Sequence, residues 1–300
     1  MASPIIAIVG ATATGKSDLA LDLAERLGGE VVNTDAMQIY RGMDIGTAKL
    51  PVAERRGIPH HLIDIADIDQ VASVAEFQRL ALDVIADCRG RGVAPILVGG
   101  SPLYTRAIMD AFEFPGTDPA IRQRLEADLE EQGSAVLYQR LKELDPPAAE
   151  GILVSNGRRI VRALEVIEMQ GAFTSSLPQH SYRDPNMVQI GLDIDRPTLD
   201  ERIAVRVARM WEAGLVDEVR RLIPLGLPDS RTASRAIGYQ QTLAFIDGEI
   251  DEATTRERIA SATRRFARRQ DSWFRKDPRV AWVPFDAPDL VDRASSAIAR

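Results

Sequence analysis

Three hundred residues with 45% apolar side chains suffice for one large domain or two smaller ones, each with its own core. A single cysteine, Cys88, excludes a disulfide framework and a cysteine metal cluster, and three histidines, His60, His61 and His180, leave little room for zinc. The formal net charge of −7 argues against a chain that is basic throughout, and the apolar runs are too short to cross a membrane.

The first apolar run, Ile5 to Val9, reads as a buried strand with no basic region before it, so no signal peptide is expected and the location is expected to be cytoplasmic. The next eight residues are Gly10, Ala11, Thr12, Ala13, Thr14, Gly15, Lys16 and Ser17, a complete G-x-x-x-x-G-K-[ST] loop. Leu19, Leu23 and Leu27 then follow at helical spacing, and Gly28-Gly29 ends the helix. Strand, glycine loop and helix form the arrangement in which backbone N–H groups and a helix N-terminus surround a diphosphate. Lys16 is expected to neutralise phosphate charge, and Ser17 to hold Mg²⁺ or a phosphate oxygen.

Further strand-like runs lie at 30–33, 61–65, 95–98, 188–194 and 280–285, separated by helical patterns. This alternation predicts an α/β fold with a parallel sheet. Asn33-Thr34-Asp35-Ala36-Met37-Gln38 follows the second strand, where an open sheet faces its ligand crevice, so Asp35 is expected near the phosphate loop. Gly99-Gly100-Ser101 follows the fourth strand and permits close approach of a backbone or a ligand. The stretch 116–186 breaks the rhythm, with helices near 119–132, 134–144 and 156–170 and no strand. It reads as a helical insertion domain into a core of 1–115 and 187–300.

Charge is unevenly distributed. Between Arg256 and Arg279 lie nine basic residues (256, 258, 264, 265, 268, 269, 275, 276 and 279) opposed by Glu257, Asp271 and Asp277, and a second cluster stands at Arg158, Arg159 and Arg162. With four lysines among 37 basic residues, part of this reflects a general use of arginine on solvated faces; the local excess still marks places for polyanion contact.

Taken in order, the phosphate loop, NTDAMQIYRGMDIGTAK (33–49), GGSPLY (99–104), RRIVRALEV, RAIGYQQ and RRFARRQDSWFRKDPRV (264–280) resemble the tRNA dimethylallyltransferase family, also called tRNA isopentenyl transferases, over about residues 4–285. The sequence departs from the family pattern at Pro102 and Gly157. The resemblance implies a P-loop NTPase-like parallel-sheet core and transfer of a dimethylallyl group from its diphosphate to N6 of an adenosine beside the anticodon, position 37. It implies Asp35 as general base and Arg235 as a diphosphate contact beside residues 10–17. Asp35, Ala36, Met37, Gln38 and Ser101 would meet the nucleotide, and Arg159, Ile160, Val161, Arg162 and Ala163 would line the tRNA path. Arg122 and Arg124 are further candidates for tRNA contact. Mg²⁺, dimethylallyl diphosphate and the tRNA anticodon arm are the implied partners, with no obligate protein partner and a monomer expected. An adenylate isopentenyltransferase acting on free nucleotide and a small-molecule P-loop kinase are the alternatives. The absence of N-K-x-D and D-D-x-x-D disfavours a GTPase switch and an aspartate-rich prenyl synthase.

Overall fold

The computed structural model describes residues 3–299. Strand β1 (Ile5–Val9) lies at the centre of a six-stranded parallel sheet. Its alternate side chains go to two different cores. Ile5, Ala7 and Val9 face one cluster, and Ile6 and Ile8 face the other, which holds Leu19 and Leu23 of α1 (Lys16–Leu27). A strand buried on both faces has no polar alternation to offer, which is why it reads as a continuous apolar run. Gly28, at φ 61, ends α1 in the left-handed conformation that glycine adopts without strain.

The chain then forms β2 (Gly29–Asn33), β3 (His60–His61), α2 (Val74–Gly90), β4 (Ala94–Val98) and α3 (Pro102–Met109). The strand expected over 61–65 is cut to two residues, because Leu62 and Asp64 both take positive φ and turn the chain out of the sheet. Pro102 occupies the first turn of α3, where its missing N–H is harmless. After the inserted helices come β5 (Met187–Asp193), β6 (Val280–Pro284) and the final helix, with the arginine-bearing helices lying between the two strands. The strand order is β3-β2-β4-β1-β5-β6, so β1 and β4 are neighbours at the middle of the sheet. Residues 10–17 and 99–101 leave the same C-terminal edge from these two strands, the position at which open α/β sheets bind ligands.

The inserted helices are α4 (Pro119–Gln132), α5 (Ser134–Leu144), α6 (Pro146–Glu150) and α7 (Gly157–Gln170). They enclose their own core of Leu125, Leu137, Leu141, Ile160, Val161 and Leu164. Gly157 serves this packing, since a Cβ there would lie 2.8 Å from both methyls of Leu129. The chain divides into two compact units, Phe112–His180 and the remainder. These borders are shifted from the expected 116–186. Asp110 pairs antiparallel with Tyr182, and Arg279 stacks on the Tyr182 ring at 3.9 Å while pairing with buried Asp110 and Asp277, so the segment after 180 belongs to the sheet unit. At the other border Phe112 and Phe114 meet edge to face within the helical unit.

Beyond β5 the sheet unit adds α8 (Arg196–Glu212), α9 (Leu215–Leu222), α10 (Tyr239–Ile246), α11 (Glu252–Phe274) and α12 (Leu290–Ile298). Capping aspartates start α8 and α11, where Asp195 accepts from Thr198 N–H and Asp251 from Thr254 N–H.

Candidate active site

A cavity of about 750 Å³ opens at the C-terminal edge of β1, β2 and β4. Thr12 to Asp18 form its floor. Gly15 reaches φ 95 just before α1, a turn a larger residue enters only under strain, and Ala13 also has positive φ. Lys16 donates to the Ala11 carbonyl at 2.5 Å. Burial pushes its ammonium down to about pKa 7; the charge of Arg206 adds to the shift and that of Asp35 opposes it.

Asp35 lines the same cavity. Its backbone is fixed by Asn33, whose Oδ1 accepts from Asp35 N–H at 2.8 Å and whose Nδ2 donates to the Asp35 carbonyl. The carboxylate accepts from Met37 N–H through Oδ1, leaving Oδ2 without a hydrogen bond to the described residues. Ser101 Oγ accepts from Ala36 N–H at 3.1 Å, joining the turn after β4 to the turn after β2. Asp35, Ala36, Met37, Gln38, Ser101 and residues 10–17 are therefore gathered at one edge of the sheet, the edge that their positions after strand ends predict.

The segment 38–49 forms a cavity wall. Glu218 is buried and accepts from the N–H groups of Asp44, Ile45 and Gly46 and from the Tyr239 hydroxyl. Lys49 is also buried and donates to the Tyr40 carbonyl, Asp44 and Asp64. Each charge removed from water has several partners, which holds this long loop in one conformation.

The fourth side comes from α8, which sequence reading did not single out. Arg202, Arg206 and Arg209 all line the cavity. Their spacing of four and three residues on one helix face was the available signal. Arg202 Nε donates to the Ala13 carbonyl at 2.7 Å. Burial lowers the Arg206 pKa and the charge of Asp35 raises it. Arg235, by contrast, is not brought to the cavity. It ends the short turn Ala233–Arg235 as an exposed residue, because buried Ala233 and Ala236 on either side direct it outward. Arg206, and not Arg235, is among the residues that line the cavity.

The residues expected on the tRNA path lie in the helical unit. Ile160, Val161 and Ala163 are buried in its core and present no side chain to a ligand. Arg122 and Arg162 both pair with fully buried Glu165, at 2.5 and 2.8 Å, and Arg162 also donates to the carbonyls of Pro115 and Gly116. Arg124 pairs with Glu168, which Arg140 also reaches. Arg159 donates to the Ser175 carbonyl from an exposed position. Arg122 and Arg162 are thus tied to a buried carboxylate of the unit, whereas Arg124 and Arg159 make their contacts from exposed positions.

On α11 the apolar face carries Ile259, Ala260, Ala267 and Phe274, and the outer face exposes Arg258, Arg265, Arg268 and Arg269. Arg258 and Arg268 have no hydrogen bond or ion pair among the described residues. At the end of the basic stretch Arg275 pairs with Asp193 and Asp271, and Arg279 is committed to Asp110 and Asp277.

Two places have donors suited to a metal. Ser17 and Asp18 put hard oxygen donors on the cavity floor, a set suited to a divalent cation such as Mg²⁺. Glu30, His61 and Cys88 also cluster, with ligand atoms within 4.8 Å of one another. There, however, Arg91 grips both Glu30 oxygens at 2.7 Å, and burial together with Glu30 raises the Cys88 thiol to about pKa 11. A guanidinium and a protonated thiol make this an ion-pair site.

The IPP transferase family model matches residues 38–277. A tRNA dimethylallyltransferase of Nocardioides is 64% identical, covering 99% of this chain and 96% of that one, and one of Thermobifida fusca is 60% identical, covering 99% and 94%. Among solved structures, the tRNA isopentenylpyrophosphate transferase of Bacillus halodurans superposes with a TM-score of 0.72 at 39% identity, covering 99% of this chain and 95% of that one. A eukaryotic dimethylallyltransferase captured acting on tRNA superposes at 0.84 with 26% identity, covering 99% and 77%. The chain belongs to the IPP transferase family, that of the tRNA dimethylallyltransferases.

Proposed function

We infer that this protein transfers a dimethylallyl group from dimethylallyl diphosphate to N6 of adenosine 37, beside the anticodon of tRNA. The observation that carries the reading is the placing of Asp35, with one free carboxylate oxygen, on the same cavity as the phosphate loop and three arginines of α8. An adenine N6 is a weak nucleophile, because its lone pair is delocalised into the ring. It needs a base within hydrogen-bond reach, and Asp35 Oδ2 takes that role. As the allylic C–O bond breaks, negative charge collects on the departing diphosphate. Lys16, Arg206, the loop N–H groups and the N-terminus of α1 receive it, fixed in place before reaction. Mg²⁺ held by Ser17, with Asp18 beside it, would add charge neutralisation on the diphosphate and leave Asp35 free as the base.

The target base must leave its stack, at a cost of about a few kcal/mol, and the Ala36–Gln38 turn, tied to Ser101 by a hydrogen bond, would hold it. Exposed arginines on α11 supply phosphate contacts that offset this cost. A free nucleotide would make no use of that helix face.

The test is incubation with Mg²⁺, labelled dimethylallyl diphosphate, and either unmodified tRNA or AMP, followed by nuclease digestion and mass analysis. Label on adenosine of tRNA alone is expected. Label on AMP would overturn the tRNA assignment, and phosphoryl transfer from ATP to a small metabolite would overturn the reaction.

A further inference from the structure

We propose that Gln270 is a positioning residue, whose side-chain amide clamps the diphosphate loop to the turn that carries Ser101. It projects from the buried face of α11 and is 1% exposed. Its Oε1 accepts from Thr12 N–H at 2.9 Å, and its Nε2 donates to the Gly100 carbonyl at 2.6 Å. One end of the amide therefore holds the loop after β1 and the other holds the turn after β4. That turn is in turn joined to the Asp35 loop by Ser101 and Ala36. The three loops that gather the site share a single chain of hydrogen bonds, and Gln270 is its link to the phosphate side.

The chemistry of the position is restrictive. Thr12 offers a donor and Gly100 an acceptor, so the bridging group must accept at one end and donate at the other. A carboxylate would face the Gly100 carbonyl with like partial charge and would place an anion against the diphosphate site. An aliphatic chain of the same volume would leave both backbone groups without their partner. Gly100 is cut to fit this clamp, since a Cβ there would lie 2.1 Å from Gln270 Nε2. Gly99 is constrained likewise from the other side, where a Cβ would lie 2.3 Å from Thr34 Oγ1 and 2.6 Å from Asp35 N. The double glycine thus admits a side chain from α11, distant in sequence, and lets the Asp35 loop close against it. Because α11 carries exposed arginines on its outer face, the helix that offers charge to tRNA is also the one that sets the geometry of the phosphate loop.

The experiment compares Gln270→Glu, Gly100→Ala, Gln270→Ala and the double variant with the wild type. It reads inorganic pyrophosphate binding without tRNA, KM for dimethylallyl diphosphate, tRNA affinity and thermal unfolding. Gln270→Glu is expected to weaken pyrophosphate binding about tenfold and to raise KM by a similar factor, with tRNA affinity unchanged within about twofold. Gly100→Ala should do the same in the wild type, yet add no more than about twofold once Gln270→Ala has cleared the space. Wild-type pyrophosphate affinity and KM in Gln270→Glu would overturn the proposal, as would an equal Gly100→Ala penalty in both backgrounds. Should Gln270→Glu not fold, Gln270→Met keeps the volume without the amide and carries the same readout. The KM arm rests on the prenyl-transfer reading; the pyrophosphate arm does not, so loss of pyrophosphate binding without tRNA labelling by the wild type would sustain the clamp and sink only that reading.

Discussion

Arginines in the helical unit and arginines around the cavity have the same chemistry and opposite circumstances. In the helical unit, fully buried Glu165 collects Arg122 and Arg162, and Glu168 collects Arg124 and Arg140. At the cavity, Arg206 and Arg209 have no ion-pair or hydrogen-bond partner among the described residues, and they face open space. A guanidinium beside a buried carboxylate is committed to the fold, because separating the two would strand a charge in a medium that solvates it poorly. A guanidinium lining a cavity without a hydrogen-bonded carboxylate is available to an anionic ligand, even with Asp35 close enough to act on Arg206 through its charge. Clusters of arginine in a sequence do not distinguish the two cases; the position of the nearest glutamate does.

The largest effect is expected at Asp35, the proposed base. Asp35→Ala should lower turnover by about 10²–10⁴-fold while dimethylallyl diphosphate still binds, measured by single-turnover kinetics and by calorimetry. Turnover at the wild-type rate would remove Asp35 from proton transfer. Next comes the direct contrast between two arginines. Arg206→Ala is expected to weaken diphosphate binding by about 10–100-fold, as befits removal of a charge-assisted hydrogen bond, and Arg235→Ala to leave it within about twofold. A reversed order would mean that the exposed turn moves onto the ligand.

In the helical unit the same substitution should act on stability. Arg162→Ala strips Glu165 of one of its two arginine partners, leaving Arg122 and the Asp118 N–H, and frees two backbone carbonyls, so the unit is expected to lose about 1–3 kcal/mol, read as a shift in thermal unfolding. Weakened tRNA binding with unchanged unfolding would return this arginine to the tRNA path that the family resemblance implies.

Much of the scaffold was legible in the chain order, for a physical reason. The strand 5–9, the loop 10–17 and the helices over 119–132 and 134–144 are set by local apolar periodicity and by capping, which need no tertiary knowledge. Asp35 and Ser101 were legible through topology, since residues past strand ends in an open sheet share one edge. Arg206, Gln270 and Glu218 were not. Their roles depend on which face of a late helix turns toward β1, and that follows from long-range packing. The strand expected at 61–65 failed for the opposite reason, because left-handed turns at Leu62 and Asp64 override an apolar run.

Lys16 sharpens the comparison from the cavity side. Burial first and Arg206 second lower its pKa to about 7 in the free protein, against the charge of Asp35, so a sizeable neutral fraction is expected at neutral pH. Diphosphate binding favours the charged form, so at pH 8 binding should take up close to one proton. Affinity should also fall as pH rises above about 7. Calorimetry in buffers of differing ionisation enthalpy counts that proton. No uptake would mean that the free lysine is already fully charged and that the cavity is wetter than its walls imply.

The smallest effect is expected on the outer face of α11, and it separates surface arginines that bind from those that are merely solvated. Arg258 and Arg268 are exposed and have no hydrogen bond or ion pair among the described residues, so reversing them to glutamate is expected to cost the fold little. If each neutralises one tRNA phosphate, the slope of log affinity against log salt should flatten by about one for each arginine reversed. At moderate salt, affinity should then drop several-fold rather than vanish, because many phosphate contacts share the load. Arg275→Ala, on a residue already paired with Asp193 and Asp271, should leave the slope where it is. An unchanged slope in the double reversal would class the whole outer face with the solvated arginines and move the tRNA contact elsewhere, whereas a slope that flattens for Arg275 as well would show that a surface ion pair gives way to phosphate, as weak pairs in water can.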